Sequence, residues 1–242
     1  MKRSILFLFF LYSLQSFSQE VYREDIEENN TDQFPMFIGI YPSLSVPVGA
    51  FNDNTNRVGL GGGIEFLINL KQTQFYAGFA SNIANYGNET LEFVDSDGFT
   101  LDWKTNSSLW DNHLLIQYEP LMKQNFQLYV QGKIGINHFF TVTKLVDEET
   151  GGENEVLERF VDDKSTSFSY GGSIGALIPL DKDWHFMLDL RASYLRGTNA
   201  SYYSKLNNFT IVGDTLDAFD LKESTTNMLR FEVGVLFYIW AG

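Results

Sequence analysis

Four windows of this chain alternate, residue by residue, between apolar side chains and small or polar ones. Val58, Leu60, Gly62, Ile64, Phe66 and Ile68 interleave with Gly59, Gly61, Gly63, Glu65, Leu67 and Asn69. Phe126, Leu128, Val130, Gly132, Ile134 and Ile136 interleave with Gln127, Tyr129, Gln131, Lys133, Gly135 and Asn137. Trp184, Phe186, Leu188, Leu190, Ala192 and Tyr194 interleave with His185, Met187, Asp189, Arg191, Ser193 and Leu195. Leu229, Phe231, Val233, Val235, Phe237 and Ile239 interleave with Arg230, Glu232, Gly234, Leu236 and Tyr238. A period of two is the mark of strands with two unlike faces. Weaker copies occupy 34–48, 74–86, 108–118 and 167–178, which makes about eight strands, an even number. Most run about 10 to 13 residues, against a usual mode of about 5 to 6, and a tilted strand crossing a bilayer needs ~9 to 11. The length favours a membrane barrel. The competing reading is a soluble lipocalin-like barrel with its apolar face inward.

The connections alternate in length. Residues 70–73, 120–125 and 180–183 are tight, with turn formers and charges such as Lys71-Gln72 and Asp181-Lys182-Asp183. Residues 50–56, 87–106, 145–165 and 197–227 are longer. The expected fold is therefore all-β: an eight-stranded antiparallel up-and-down transmembrane β-barrel with short periplasmic turns and long extracellular loops. Both termini then lie on the periplasmic side. The apolar face points to lipid. The inward face is rich in glycine (Gly59, Gly61, Gly63, Gly135, Gly171, Gly175), which suits a narrow interior. Aromatics gather near strand ends (Phe34, Phe75, Trp110, Tyr118, Phe126, Phe140, Phe168, Trp184, Tyr194, Trp240), as interfacial girdles do.

The first eighteen residues read as an export signal. Met1-Lys2-Arg3 is positive, residues 5–12 are almost unbroken apolar, and Ser13, Ser16 and Ser18 lead to a cleavage site near Ser18-Gln19. That apolar run is far shorter than a spanning helix. Residues 19–33 are charged and aperiodic, and read as a flexible acidic N-terminus before a barrel over 34–242. Removing Lys2 and Arg3 from the 17 basic residues leaves 15 against 31 acidic ones. Such acidity excludes nucleic acid as a partner, since phosphates need a basic face. The absence of cysteine excludes a disulfide scaffold, thiol redox catalysis and cysteinate metal sites.

On this pattern the chain resembles the small eight-stranded outer-membrane barrels of the OmpA and OmpX type. It looks more closely similar to the outer-membrane β-barrel families of Bacteroidota, including the PorT-like group. The resemblance rests on the export signal, the strand Gly59-Leu60-Gly61-Gly62-Gly63, the turn at Ile178-Pro179-Leu180-Asp181 and an aromatic terminal strand, and covers about 34–242. Ala241-Gly242 after Phe237-Tyr238-Ile239-Trp240 departs slightly from the terminal aromatic that assembly machinery recognises in this class. The resemblance implies a non-enzymatic envelope component in the bacterial outer membrane.

Candidate functional residues are the inward charges Glu65, Asp111, His113, Glu119, Lys133, Asp189, Arg191, Arg230 and Glu232. An eight-stranded barrel is about wide enough for its own side chains, so these charges are expected to pair into a network that plugs the lumen. A proton or small-solute path is the functional alternative. His113 shares a predicted face with Asp111, a pairing that could make a general base, so a lipid-modifying enzyme also stays open. His138 and His185 fall on different faces and outside any ligand-spaced cluster, and neither a metal nor a cofactor is expected. The long loops are acidic (Glu89, Glu92, Asp95, Asp97, Asp102; Asp147, Glu148, Glu149, Glu153, Glu155, Glu158, Asp162, Asp163; Asp214, Asp217, Asp220, Glu223). They suit solvation beside anionic lipopolysaccharide, or docking of an envelope protein partner. Asp95-Ser96-Asp97-Gly98 is a fragment of a calcium loop without the rest of the motif. Asp214-Thr215-Leu216 looks like a short O-glycosylation acceptor. Apolar residues within these loops (Leu91, Phe93, Leu101, Trp103, Val156, Leu157) could extend the strands beyond the membrane or form a partner surface. Outer-membrane lipid and lipopolysaccharide are the expected surroundings of a monomeric barrel.

Overall fold

The computed structural model describes residues 35–70, 73–94, 100–123, 125–147, 155–182, 184–205 and 219–239. The export signal, the acidic N-terminal tail, Phe34, the Asp95–Gly98 fragment, Asp214, Asp217 and Trp240 lie outside them. The elements are β1 (Met36–Pro47), α1 (Ala50–Thr55), β2 (Gly59–Asn69), β3 (Phe75–Val94), β4 (Thr100–Lys123), β5 (Phe126–Asp147), β6 (Glu155–Pro179), β7 (Phe186–Gly197), β8 (Asn199–Lys205), β9 (Phe219–Thr225) and β10 (Met228–Ile239).

Eight of the strands close into an antiparallel barrel in the order β1-β10-β7-β6-β5-β4-β3-β2. Neighbours in sequence are neighbours in the ring, except at the seam where β1 pairs with β10, Met36 opposite Ile239. Short turns join β2 to β3, β4 to β5 and β6 to β7 at the end where β1 starts and β10 stops. The remaining connections lie at the other end.

The alternation read from the sequence sorts the two faces. Leu60, Ile64, Leu114, Ile116, Ile134, Ile174 and Val233 are exposed outward, while Glu65, Leu67, Gln131, Lys133, Asp189 and Arg191 are buried inward. This outward band of large apolar side chains runs right round the barrel, a surface that water does not tolerate and lipid does. Aromatic residues mark its edges. Phe75 stacks on Tyr118 at 4.8 Å near the short turns. Trp110 faces His138 at 5.9 Å toward the long loops. Eight residues separate Tyr118 from Trp110 along β4; at ~3.3 Å per residue and a tilt of ~40° that is roughly 20 Å of height, close to the ~25 Å apolar band of a membrane barrel. No helix among the described residues is long and apolar enough to cross a membrane. The fold is a membrane-spanning β-barrel.

The expectation of four long loops needs correction. Much of 87–106 and 145–165 is strand: β3 with β4, and β5 with β6, continue pairing far past the aromatic belt, up to Val94 opposite Thr100 and Asp147 opposite Glu155. Glu89, Glu92 and Asp102 therefore sit on paired strands. Leu91, Phe93, Leu101 and Trp103 sustain the period-two pattern there, so the ladder has no reason to stop. The connection 197–227 holds a separate hairpin of β8 and β9, with Asn199 opposite Thr225. Residues 50–56 hold α1, whose Phe51 is buried.

Candidate functional site

The lumen is built in three layers. At the short-turn end Tyr41, Tyr129, Leu177, Met187 and Leu236 form an apolar cluster, with Phe37 and Trp184 packed against it. Two of these rings lie over glycines on neighbouring strands. A Cβ on Gly175 would fall 2.3 Å from the Tyr129 ring, and one on Gly234 would fall 2.2 Å from the Tyr41 ring. Glycine there is what lets a tyrosine lie flat across the interior.

At the long-loop end a second cluster gathers Phe51, Tyr86, Leu109, Phe139, Leu195, Ala200, Tyr202 and Met228. Phe51 comes from α1 and Tyr202 from β8, so elements outside the ring supply the plug. Their rings meet edge to face at 5.0 Å, and Phe51 also meets Phe139 at 5.7 Å. Polar contacts hold the plug in place. Asn54 Nδ2 donates to the Tyr202 hydroxyl at 2.9 Å, Ser204 Oγ donates to the Asn54 carbonyl at 2.5 Å, and the Tyr202 and Ser224 hydroxyls meet at 2.7 Å.

Between these plugs lies the charge network. Arg191, on β7, reaches Glu65 on β2 at 2.6 Å and Glu232 on β10 at 2.9 Å, and its guanidinium carbon sits 4.1 Å above the Tyr41 ring. Lys133 approaches the same Glu232 at 3.7 Å. Gln131 donates to Glu65 at 3.3 Å and Ser193 to Glu232 at 3.2 Å. A second group centres on Arg230, which grips both oxygens of Asp111 at 2.9 and 2.5 Å and donates through Nε to Ser45 at 3.1 Å. Asn82 donates to Asp111 at 3.2 Å. Asp189 is held by a phenol: the Tyr129 hydroxyl lies 2.8 and 2.9 Å from its two oxygens. Glu119 lies apart toward the short-turn end, accepting from Gln117 at 2.8 Å.

The structure thus places Glu65, Asp111, His113, Lys133, Asp189, Arg191, Arg230 and Glu232 buried in the lumen and Glu119 half-buried at its edge. Four carboxylates in the buried set face three basic side chains and one imidazole, and neutral amides and hydroxyls bond to several of them. A buried ion needs this shell, because desolvation is repaid only when geometry and hydrogen bonding are both good. Tyr41, Asn82, Gln117, Tyr129, Gln131 and Ser169 belong to the network as much as the charges do. The alternation already put Gln117, Tyr129 and Gln131 inward, but an amide or a phenol carried no flag of its own.

His113 has unexpected company. Its Nδ1 lies 3.1 Å from Asp111 Oδ1 and its Nε2 lies 3.1 Å from Ser169 Oγ. That is the acid, imidazole and hydroxyl connectivity of acyl-transfer enzymes. The surroundings do not match the chemistry. Ser169 is fully buried, and a reacting carbonyl must come within ~3 to 3.5 Å of the nucleophile. The enclosed gap beside Asp111, His113, Lys133 and Arg230 measures about 10 Å³, room for about one water molecule. Asp111 is committed to Arg230 as well as to the imidazole. The arrangement braces three strands and has no place for a substrate.

His138 lies on the outward face, 2.9 Å from Thr166, and His185 lies in the turn before β7, 3.3 Å from Asp181. Among the described residues no group of three or more His, Cys, Asp or Glu could hold a metal ion.

No protein-family model matches the chain, and no curated protein matches it. Several solved structures are similar. Neisserial surface protein A is 12% identical, with a TM-score of 0.43, over 84% of this chain and 96% of its own. The attachment invasion locus protein Ail of Yersinia pestis, in complex with the heparin analogue sucrose octasulfate, is 16% identical, with a TM-score of 0.37, over 86% and 100%. The outer membrane protein OprG of Pseudomonas aeruginosa is 14% identical, with a TM-score of 0.40, over 86% and 96%. Likeness at this level carries no argument about activity, and the ring of eight strands stands on its own pairing.

Proposed function

We propose that this chain is a non-enzymatic integral protein of a bacterial outer membrane, a structural, binding or accessory component of the cell envelope. It is of the kind that Bacteroidota carry in their PorT-like group. Residues 1–18 direct its export, both barrel termini lie in the periplasm, and the extended hairpins with their acidic residues face outward to partners or to lipopolysaccharide. One observation carries the reading: the lumen is filled by a paired charge network and closed above and below by packed aromatic residues. A barrel with its interior committed to itself works through its outer surface and loops.

The test is conductance of the full-length protein in a planar lipid bilayer, together with fractionation of a tagged copy from its native host. The expected result is recovery in the outer membrane with no step currents. Steady unitary currents that change on Lys133→Gln or Glu65→Gln would overturn the closed-lumen reading in favour of a narrow channel. Recovery outside the outer membrane would overturn the localisation.

The connectivity of Asp111, His113 and Ser169 favours one second reading, a hydrolase or lipid-modifying enzyme. It requires the lumen to open far enough to admit a substrate. Labelling of the folded barrel by a fluorophosphonate probe, lost in Ser169→Ala, would support it; an unlabelled barrel counts against it.

A further inference from the structure

The strand register fixes which outward side chains share a height in the membrane. Residues directly opposite Leu44 can be followed round the ring both ways. One way the row runs through Leu60, Asn85, Ser108 and Phe140 to Lys164. The other way it runs through Phe231 and Ala192 to Ile174. The two ends meet on β6 ten residues apart. A row of opposed residues therefore climbs toward the long-loop end, by ~3 Å of height per strand at ~3.3 Å per residue and a tilt of ~40°. Trp110 lies opposite His138, and His138 opposite Thr166, so Thr166 stands ~6 Å above Trp110. Tyr170, four residues nearer the short turns, stands ~4 Å below Trp110. Arg196 on β7 lies opposite Tyr170, one strand on, and so comes within ~1 Å of the height of Trp110.

Arg196 points outward. It is exposed, between Leu195 and Gly197, which are buried inward. Its guanidinium has no hydrogen bond or ion pair among the described residues. Half-exposed rings surround its base: Tyr170 opposite, Phe168 beside that ring at 6.1 Å, and Tyr194 two residues below on the same strand. A charge facing lipid costs several kcal/mol at the midplane and almost nothing at the interface. At the height of the upper belt the guanidinium stands among lipid headgroups.

The surface beneath it is hollowed. Gly172 lies opposite Tyr194, and Gly132 opposite Gly172. By the same climb they stand ~8 and ~11 Å below Arg196, at the depth of acyl chains. Both are on the outward face. A Cβ on Gly132 would meet nothing nearer than 3.9 Å, and one on Gly172 only the Gln131 carbonyl oxygen at 3.2 Å. Two adjoining strands thus present bare backbone to the bilayer in a band that is otherwise filled by large side chains. A cation at headgroup height over a furrow at chain depth has the outline of one lipid.

We infer that Arg196 and the Gly172–Gly132 furrow bind a phosphorylated glycolipid of the outer leaflet. The planar guanidinium takes two oxygens of a headgroup phosphate, the tyrosines flank the sugar, and an acyl chain lies along the two glycines. The inference rests on the outer-membrane reading above and deepens it.

The test is native mass spectrometry of the full-length barrel, released in a mild detergent and titrated with lipid A. Retention of lipid A by the wild type is expected, with about a tenfold loss of affinity in Arg196→Gln and for lipid A stripped of its phosphates. Gly132→Leu fills the furrow and should cost about threefold or more. Both side chains face away from the lumen, and circular dichroism verifies that the variants fold. Arg57→Gln, at a cation already engaged by Glu89, should leave binding unchanged; a loss there equal to that of Arg196→Gln overturns the inference in favour of diffuse charge attraction. Equal binding by Arg196→Gln, or undiminished binding of the dephosphorylated lipid, also overturns it. Displacement by inorganic phosphate with no effect of Gly132→Leu overturns it in favour of a free-anion site. Fractionation of the tagged protein separates the two levels: recovery outside the outer membrane removes both readings, whereas an outer-membrane protein whose lipid binding ignores Arg196 removes only this one.

Discussion

Replacing Arg230 with methionine isolates the buried ion pair from everything around it. The guanidinium reaches both oxygens of Asp111, at 2.9 and 2.5 Å, and both side chains are about 2% exposed. Methionine fills much of the same volume without the charge. Asp111 is then left with Asn82 at 3.2 Å and His113 at 3.1 Å. An uncompensated charge of this kind costs about 3 to 5 kcal/mol. Asp111→Asn alone strands the guanidinium and is expected to cost a comparable amount. Combining the two neutralises the site. What remains is the loss of a few hydrogen bonds at about 1 kcal/mol each, so the double variant should lie within about 2 to 3 kcal/mol of the wild type. The two single costs then exceed the double by several kcal/mol, far beyond the ~0.5 kcal/mol within which independent sites add. The assay is reversible urea unfolding of the four proteins in short-chain phosphatidylcholine vesicles, followed by tryptophan fluorescence. Additive single and double effects would refute the reasoning, because they would mean that the pair is solvated or that the charges do not depend on each other.

Three further outcomes follow from other parts of the barrel. A Cβ on Gly135 falls 1.9 Å from the Asn112 carbonyl oxygen and 2.8 Å from His113 Cα, both backbone atoms of the adjoining strand; Gly135→Ala should destabilise by about 1 to 3 kcal/mol or more, whereas Gly132→Ala, with nothing nearer than 3.9 Å, should be neutral in the same unfolding assay. Leu114 is 65% exposed and midway along β4 between Trp110 and Tyr118, so Leu114→Arg should cost about 2 to 4 kcal/mol in vesicles, the value for an arginine at the membrane midplane. In the turn before β7, the Phe186 amide donating to Asp181 at 2.9 Å, assisted by His185, holds the Asp181 carboxyl below the usual aspartate range. A lowered folded pKa stabilises the turn above the ordinary aspartate pKa and loses that contribution as pH falls through the folded value. Hydrogen exchange should report a fall in protection of the Phe186 amide at strongly acid pH, and Asp181→Ala should remove that dependence.

The faces of the barrel were legible because one side of each strand meets lipid and the other meets a narrow interior. That contrast writes itself into the alternation, and Ile64 outward beside Glu65 inward is enough to orient β2. Strand length and the short turns then fixed the ring. The pairings inside it were not legible. Glu65 and Arg191 are 126 residues apart, and His113 and Ser169 are 56 apart; which of them meet depends on how far each strand is staggered against the next, and no local pattern encodes that. The plug at the long-loop end was hidden for a different reason. In α1 only Phe51 is large and apolar among Asn52, Asp53 and Asn54, which reads as a solvated loop until Tyr202 and Phe139 are seen to enclose the ring. The extended hairpins lay between these cases: their apolar residues stood out, and only the continued ladder shows that they prolong the strands.

The seam between β1 and β10 sets a condition on how such a chain becomes folded. Every other ladder joins strands that follow one another, or that are separated only by the hairpin of β8 and β9, so each can form soon after its second strand emerges. The seam joins the two ends of the ring, and β1 keeps an unpaired edge until β10 arrives. Closing so long a loop carries an entropic cost that no local contact offsets, and topologies dominated by such contacts fold slowly. Until closure several lumen ion pairs are missing, since Arg191 and Lys133 wait for Glu232 and Asp111 waits for Arg230. The last strand therefore closes the sheet and completes the network in one step, and a barrel caught before that step presents an open edge and bare ions, a form for chaperones to hold and proteases to remove.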